Sequence, residues 1–209
     1  MSQKDELIQQ TRLAFDFIQK LYLEVSYLIK EIEGSLLEEE EKFIICRPQG
    51  YAITARTSSG LESINVNLWL VRKMAVSFVP EDCTKQEKGQ THTEINKDLR
   101  VLYVRVVLDD KNIDQPTLYS GVLYNLEVNP QGERWFNKFE KLMGHIEYNE
   151  QKILTEPEAI NYEDASVKIE GKLLKNNLYD IDDSETLHNK VISPTLEIFR
   201  KKAVYDSQK

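Results

Sequence analysis

The first 41 residues carry an apolar pattern that no proline interrupts and that no glycine interrupts before Gly34. On a helical wheel the apolar side chains fill three adjacent seven-residue rows: Leu7, Ala14, Leu21 and Leu28; Ile8, Phe15, Tyr22, Ile29 and Leu36; and Ile18, Val25 and Ile32. Together these rows cover an arc of about 100°, the width that a surface helix turns toward a core. The pattern predicts one long amphipathic helix over residues 1–41.

The width of this apolar stripe indicates how the helix is used. A two-stranded coiled coil uses only two rows, whereas three adjacent rows suit a helix that packs across a sheet or into a bundle groove. We therefore expect the helix to pack on the core of its own chain. The competing hypothesis is a homodimer through this helix, with Leu21 and Leu28 among the contacts.

The next block, residues 43–128, is rich in short runs of β-branched and aromatic residues. The predicted strands are 43–47 and 51–56, joined as a hairpin by Pro48-Gln49-Gly50, and then 64–71, 74–79, 99–108 and 118–128. Within the last strand, Gly121 is expected to mark a bulge or a close approach of backbone. Residues 80–98 are polar with little to bury, and they are predicted to form a mobile loop.

The last block, residues 129–205, is expected to hold helices plus one strand. Apolar spacing over 135–146 predicts a helix of about four turns, and residues 167–173 alternate as a strand. The segment Asp182-Asp183-Ser184 offers helix caps, and Ser193-Pro194 is expected to restart the helix with a new cap.

These segments predict a single α+β domain over residues 1–209. Its mainly antiparallel sheet of about five to seven strands is packed by the N-terminal helix and by C-terminal helices. Charged residues make up 30% of the chain, and no apolar run approaches the roughly 18 residues of a membrane span. The polar N-terminus lacks the basic start and apolar core of a signal peptide. We expect a cytoplasmic protein that does not bind membranes.

Charge is distributed unevenly along a chain whose formal net charge is −8. Five of its eight arginines fall between residues 43 and 108, and arginine is well suited to bidentate contacts with carboxylate or phosphate. The candidate ligand- or partner-binding residues are Arg47, Arg56, Arg72 and Arg105. The alternative is that these arginines only decorate the solvent face of the sheet. An acidic chain is a poor general nucleic-acid binder, although this block could contact a nucleic acid or a nucleotide.

Few residue patterns carry catalytic chemistry. The sequence has no G-x-S-x-G nucleophile motif, no phosphate-binding P-loop and no dinucleotide-binding G-x-G-x-x-G. The two cysteines and three histidines lack metal-ligand spacing, and the cysteines are expected to be buried, inert thiols. They are Cys46, Cys83, His92, His145 and His188.

The sharpest catalytic candidate is the strand segment Glu170-Gly171-Lys172 with Asp164 before it. Alternation places Glu170 and Lys172 on one face, an arrangement similar to that of metal-dependent nucleases, whose carboxylates hold Mg²⁺ while a lysine positions water. The same acidic-x-Lys pattern occurs elsewhere in this chain, for example at Glu40-Glu41-Lys42.

The leading functional hypothesis is a non-enzymatic binding or adaptor subunit of an intracellular protein complex, with no cofactor. Its partner surface is expected on the outer face of the long helix, or on the arginine-bearing sheet face with loop 80–98. One alternative is a metal-dependent nuclease or phosphodiesterase that uses Glu170, Lys172 and Mg²⁺. Another is a sensor of a nucleotide or other phosphorylated ligand through the middle arginines.

Overall fold

The computed structural model describes residues 3–46, 71–87, 90–96, 98–133, 135–136 and 138–206. Several predicted features lie outside these residues. They are Arg47, Arg56, the predicted strand 51–56 and nearly all of the predicted strand 64–71.

The N-terminal helix, α1, spans Gln3–Leu37. It ends just before the run of four glutamates at 38–41, where acidic side chains oppose the negative end of the helix dipole. Its fully buried residues are Val25, Ile32 and Leu36, all in the second half. The prediction of one long helix is confirmed, and its second half packs on the core.

A six-stranded antiparallel sheet forms the centre of the fold, which confirms the predicted α+β class. Its strands, in spatial order, are β1 (Phe43–Cys46), β2 (Lys73–Pro80), β5 (Val101–Val107), β6 (Thr117–Val128), β8 (Val167–Asn177) and β7 (Ile160–Glu163). The central strand β5 is buried along its whole length because helices cover both faces of the sheet. This double cover explains its nearly unbroken apolar sequence.

The two faces of the sheet contribute to two separate hydrophobic clusters. Even-numbered residues of β5, such as Val104, join Val25 and Ile32 of α1 in one cluster. Odd-numbered residues, such as Tyr103, face the other cluster, which contains Leu142 and Ile146. Those two residues belong to helix α2 (Phe139–Tyr148), which the short helix α3 (Glu150–Ile153) follows directly.

Gly121 lies where β6 and β8 approach each other closely. A Cβ built at this position would lie 2.0 Å from the Lys172 carbonyl oxygen and 2.7 Å from the Leu173 Cα. The expectation of a close backbone approach is therefore correct. The irregularity in the β6–β8 pairing falls further along the strand, between Tyr124 and Glu127.

Three predicted boundaries differ from the structure. Residues 80–98, predicted as a loop, include a two-stranded hairpin of β3 (Thr84–Glu87) and β4 (Gln90–Thr93). These two strands are polar in sequence, so hydrophobic patterning does not reveal them. The last block holds two strands rather than one, because β7 lies in the polar connector. Helix α2 starts at Phe139, and Trp135 lies exposed in the preceding turn.

The C-terminal helices form one continuous stretch. Asp183 caps α4 (Ser184–Leu187) by accepting the Thr186 N–H at 2.7 Å, as expected for a helix cap. The expected restart at Ser193-Pro194 is wrong, since a π-helical turn over His188–Ile192 leads into α5 (Ser193–Asp206).

Pro194 accounts for the irregular turn. Proline has no N–H to donate to the carbonyl four residues back, that of Lys190. The Asn176 side chain donates to this carbonyl instead, at 3.3 Å, while Ser193 donates to the carbonyl of His188. The missing helical bond is thereby replaced from β8 and the helix continues.

Candidate functional site

The first half of α1 displays large apolar side chains to solvent. Leu13 is 60% exposed, and Phe15 and Phe17 are both 63% exposed. Leu7, Ile8 and Phe15 continue the apolar stripe of the buried half in exposed positions, whereas Leu13 and Phe17 lie to one side of that stripe. These exposed apolar side chains make the first half of α1 a candidate interaction surface.

A groove of about 380 Å³ runs between the middle of α1 and the segment 178–187. Its floor is apolar and includes Leu28, Leu178 and Leu187. Two exposed aromatic residues, Tyr27 on α1 and Tyr179 on the opposite wall, flank it. The groove therefore offers apolar contacts between two walls.

The groove is strongly acidic. Glu24 and Glu31 line it from α1, Asp182 and Asp183 line it from the facing segment, and the lining residues that the structure describes include no base. The hydrogen bond from the Thr186 N–H holds the pKa of Asp183 below its usual value. Four acidic side chains thus line the two walls of the groove.

Helical geometry connects the exposed half of α1 to this groove. At 100° per residue, one side of the helix about 120° wide holds Leu13, Phe17, Leu21, Glu24, Tyr27 and Glu31; we call it the groove face. Phe15 projects from a different side, about 160° around the helix from Phe17. The groove thus extends along α1 toward the N-terminus as an exposed apolar strip, which also carries Lys20.

Of the four predicted arginines the structure describes Arg72 and Arg105, and it places them in different settings. Arg105 is only 6% exposed and points toward α2 and α3, so the expectation that it decorates a solvent face is wrong. The physical reason is that Glu150 of α3 pairs with its guanidinium. Arg72 makes an exposed ion pair with Asp109 at 2.8 Å.

Buried charges cluster where β2 and β5 meet α3. Glu150 pairs with both Arg105 and Lys73, and Lys73 also pairs with Asp110. The hydrogen bond from Lys73 holds the pKa of Asp110 below its usual value. This network contains two cations and two carboxylates in a setting that is largely shielded from water.

Glu147 on α2 lies beside this network and is only 4% exposed. Its Oε1 accepts the Tyr103 hydroxyl, while its Oε2 lies 3.5 Å from the Arg105 Nε, at the limit of a hydrogen bond. Burial raises the pKa of Glu147 to about 8, and the charge of Lys73 only partly opposes this. Glu147 is therefore largely protonated at neutral pH.

The charged network forms one wall of a cavity of about 550 Å³. The cavity lies between the end of the sheet, the β5–β6 turn and α3. Lys111 and Lys175 add two more cations at its exposed edge, and Tyr119 and Leu173 contribute from the sheet. Its volume falls within the range of small-molecule binding sites.

The nuclease candidates occupy different settings. Asp164 lies in the turn before β8. Burial acts to raise the pKa of its carboxyl group, but hydrogen bonds from the Tyr162 hydroxyl and from two backbone N–H groups outweigh this effect. The pKa of Asp164 is therefore below its usual value. Glu170 lies 3.8 Å from Lys168, and Lys172 is exposed. Across the described residues, no group of three or more His, Cys, Asp or Glu is placed to hold a metal ion. The nuclease hypothesis stays an untested prediction.

The two cysteines form no disulfide. Cys46 is buried and burial raises the pKa of its thiol; Cys83 is half-buried, and its pKa rises to about 11 for the same main reason. A thiol with a raised pKa is a weak nucleophile at neutral pH, in line with the expected inert role.

Comparison of the chain with protein-family models, with curated proteins and with solved structures found no match. In the part of the chain that the structure describes, no helix has the length and apolar character needed to cross a membrane. The groove beside α1 and the cavity beside α3 are the two candidate functional sites of the described chain.

Sequence reasoning missed Lys73, Glu147 and Glu150 as members of the charged network. For Glu147 a signal was present, because it follows Phe139 and Met143 at steps of four residues and so falls on the apolar side of α2. A carboxyl group at such a position needs a buried partner. No comparable pattern marks Lys73 or Glu150.

Proposed function

We propose that this protein is a non-enzymatic adaptor subunit that binds an amphipathic helix of a partner protein in the groove beside α1. The observation that carries this proposal is an apolar groove with four carboxylates and no lining base, which continues into exposed Leu13 and Phe17. The partner is expected to present an apolar stripe flanked by lysine or arginine. A cytoplasmic location remains part of this proposal.

The dimensions of the surface favour a helical partner. From Leu13 to Glu31 the groove face runs about 27 Å at 1.5 Å per residue. This length fits about five turns of a partner helix, and such helices commonly lay an apolar face into a groove. The two exposed tyrosines on opposite walls, Tyr27 and Tyr179, are suited to cover its edges.

Charge complementarity favours a basic partner over a second copy of this chain. A second copy would bring the same four acids to the interface and a net charge of −8, and like charges across an interface are unfavourable. Leu28, one of the two residues expected in a homodimer contact, already packs against the core of its own chain. The homodimer hypothesis is therefore less well supported.

The experiment uses two synthetic 18-residue helical peptides with the same leucine stripe, one flanked by lysines and one by glutamates. Binding to the full chain is measured by fluorescence anisotropy at low and high salt. The lysine peptide should bind with an affinity that falls as salt rises, because the acids attract it. The glutamate peptide should bind far more weakly.

Matched variants separate groove binding from general attraction to an acidic protein. Phe17→Gln should weaken the lysine peptide about tenfold, a typical loss for one buried aromatic contact, whereas the equally exposed Phe15→Gln should not. Likewise, Glu24→Gln with Glu31→Gln should weaken binding, whereas Glu38→Gln with Glu40→Gln should leave it nearly unchanged. The proposal would be contradicted if the control variants weakened peptide binding as much as the groove variants do. It would also be contradicted if the purified chain formed a dimer that Phe17→Gln disrupts.

A further inference from the structure

The second site, the cavity beside α3, carries an excess of positive charge on an acidic protein. Four cations line it, Lys73, Arg105, Lys111 and Lys175, against the two carboxylates of Asp110 and Glu150. Among the described residues, neither Lys111 nor Lys175 makes an ion pair. The local surplus is therefore two positive charges, in a chain whose net charge is −8.

The register of the sheet arranges part of this charge in a row. Arg105 pairs with Tyr119 across β5 and β6, and Tyr119 pairs with Lys175 across β6 and β8. The three residues therefore lie side by side on one face of the sheet, and their backbones span about 10 Å at the usual strand spacing. A guanidinium, a phenol ring and an ammonium group thus line one wall of the cavity.

Stability alone does not account for the buried end of this row. Burying a guanidinium with its carboxylate partner costs desolvation energy, and apolar residues of similar volume are often equally or more stabilising. The structure instead fixes Arg105 with Glu150 beside an open cavity. Positioned cations of this kind are a common way to bind anionic groups.

The other lining residues indicate what the anionic group is attached to. Val107, Ile113, Leu154 and Leu173 supply apolar surface, and the Tyr119 ring lies between the two cations of the row. About 550 Å³ holds a ring-sized body together with one charged group. Polar lining residues such as Asn112 and Gln151 can then fix its orientation.

We propose that this cavity binds a small organic oxyanion, a carboxylate or phosphate attached to a compact apolar body, between Arg105, Tyr119 and Lys175. The inference is independent of the groove beside α1, because the two sites share no lining residue. The protein would then be an adaptor that also carries a small-molecule site.

The test is isothermal titration of the full chain with phenyl phosphate and with benzoate. Benzyl alcohol, which has the same ring without the charge, is the neutral control. At least one anion should bind at millimolar concentration or below, with an affinity that falls at high salt, and the tighter one identifies the preferred oxyanion. Benzyl alcohol should bind at least about tenfold more weakly, the loss expected when a charged contact is removed.

Two lysines of the same strand provide a matched pair of variants. Lys175 faces the cavity, whereas Lys172 is exposed on the opposite face of β8. Lys175→Gln should weaken the anion about fivefold, the effect of one partly exposed charge, and Lys172→Gln should not change it. Both side chains are exposed, so neither change threatens folding.

Three results would overturn the proposal. The first is that neither anion binds at millimolar concentration. The second is that benzyl alcohol binds as tightly as the anions, which would show a purely apolar site. The third is that Lys172→Gln weakens binding as much as Lys175→Gln, which would mean that the anions respond only to general surface charge.

Discussion

The Tyr103 hydroxyl donates a hydrogen bond to the Glu147 carboxyl, and this bond joins the central strand β5 to helix α2 inside the core. Both side chains are almost completely buried. The bond gives the carboxyl group a partner that a core position requires. Burial nevertheless disfavours the charged form of the Glu147 carboxyl group, and the stability of the protein should therefore depend on pH.

The stability of the protein should fall as the pH rises from 6.5 to 8. In the folded state the pKa of Glu147 is raised from 4.5 to about 8 by burial, so the folded chain keeps a proton that the unfolded chain has lost. Raising the pH therefore favours unfolding, by up to about 1.4 kcal/mol per pH unit. His145 opposes this slope near pH 6.5, because burial lowers its pKa in the folded state while the unfolded histidine still binds a proton there, and its contribution fades as the pH rises toward 8.

Urea denaturation at several pH values measures this slope. Glu147→Gln keeps an acceptor for Tyr103 and removes the titrating proton, so its stability should be nearly constant over the same window. Glu140→Gln on the same helix is the control and should retain the wild-type slope. A wild-type stability that is flat or rises from pH 6.5 to 8 would contradict the assignment.

Arg105→Met should destabilise the fold by about 3 kcal/mol, because it leaves the poorly exposed Glu150 carboxylate with only Lys73 as a partner. Adding Glu150→Gln should recover a large part of this loss. A double-mutant cycle by urea denaturation gives the coupling energy. As a control, Arg72→Met removes an exposed pair and should cost less than about 1 kcal/mol. Strict additivity of Arg105→Met and Glu150→Gln would refute a direct pairing.

Two glycine substitutions should act in opposite directions. Gly121→Ala should cost about 3 kcal/mol or more, because its Cβ would meet the backbone of β8 at 2.0 Å. Gly34→Ala has open space around its Cβ and should stabilise α1 by about 0.5–1 kcal/mol. Thermal denaturation of both variants checks the pair. A Gly121→Ala variant as stable as wild type would show that β6 and β8 are further apart.

The two halves of α1 should respond differently to substitution in the isolated protein. Ile32→Ala should cost about 2–4 kcal/mol because Ile32 is buried against the sheet. Phe17→Gln should change the free energy of unfolding by less than about 0.5 kcal/mol, since its side chain is exposed. Chemical denaturation measures both values. A large loss at Phe17 would mean that its side chain stabilises the chain itself and is not free for a partner.

Local patterning was enough to predict the elements with strong periodicity. The α1 stripe and the β5, β6 and β8 strands follow from residue spacing, because each buries a continuous face. The second half of α1 packs as expected. The exposure of its first half could not be predicted, since the same stripe runs through both halves and only the position of the sheet decides which turns it covers.

The charged network could not be predicted because its members are distant in sequence. Arg105 belongs to a strand whose other residues are buried, yet its partners Glu147 and Glu150 lie more than 40 positions further along. Nothing near Arg105 indicates that a helix will bring carboxylates to it. Two further features could not be predicted for a related reason: the polar hairpin of β3 and β4 and the π-helical turn before Pro194. Neither produces a periodic pattern of apolar side chains in the sequence.

The most direct test of the adaptor proposal is native mass spectrometry of tagged protein recovered gently from its own cells. Wild type, Phe17→Gln and Phe15→Gln are compared, because the two phenylalanines are equally exposed on different sides of α1. We predict a stoichiometric complex with a different protein for wild type and Phe15→Gln, and a bare chain for Phe17→Gln. A complex that survives Phe17→Gln, or a bare or homodimeric wild-type chain, would contradict the proposal.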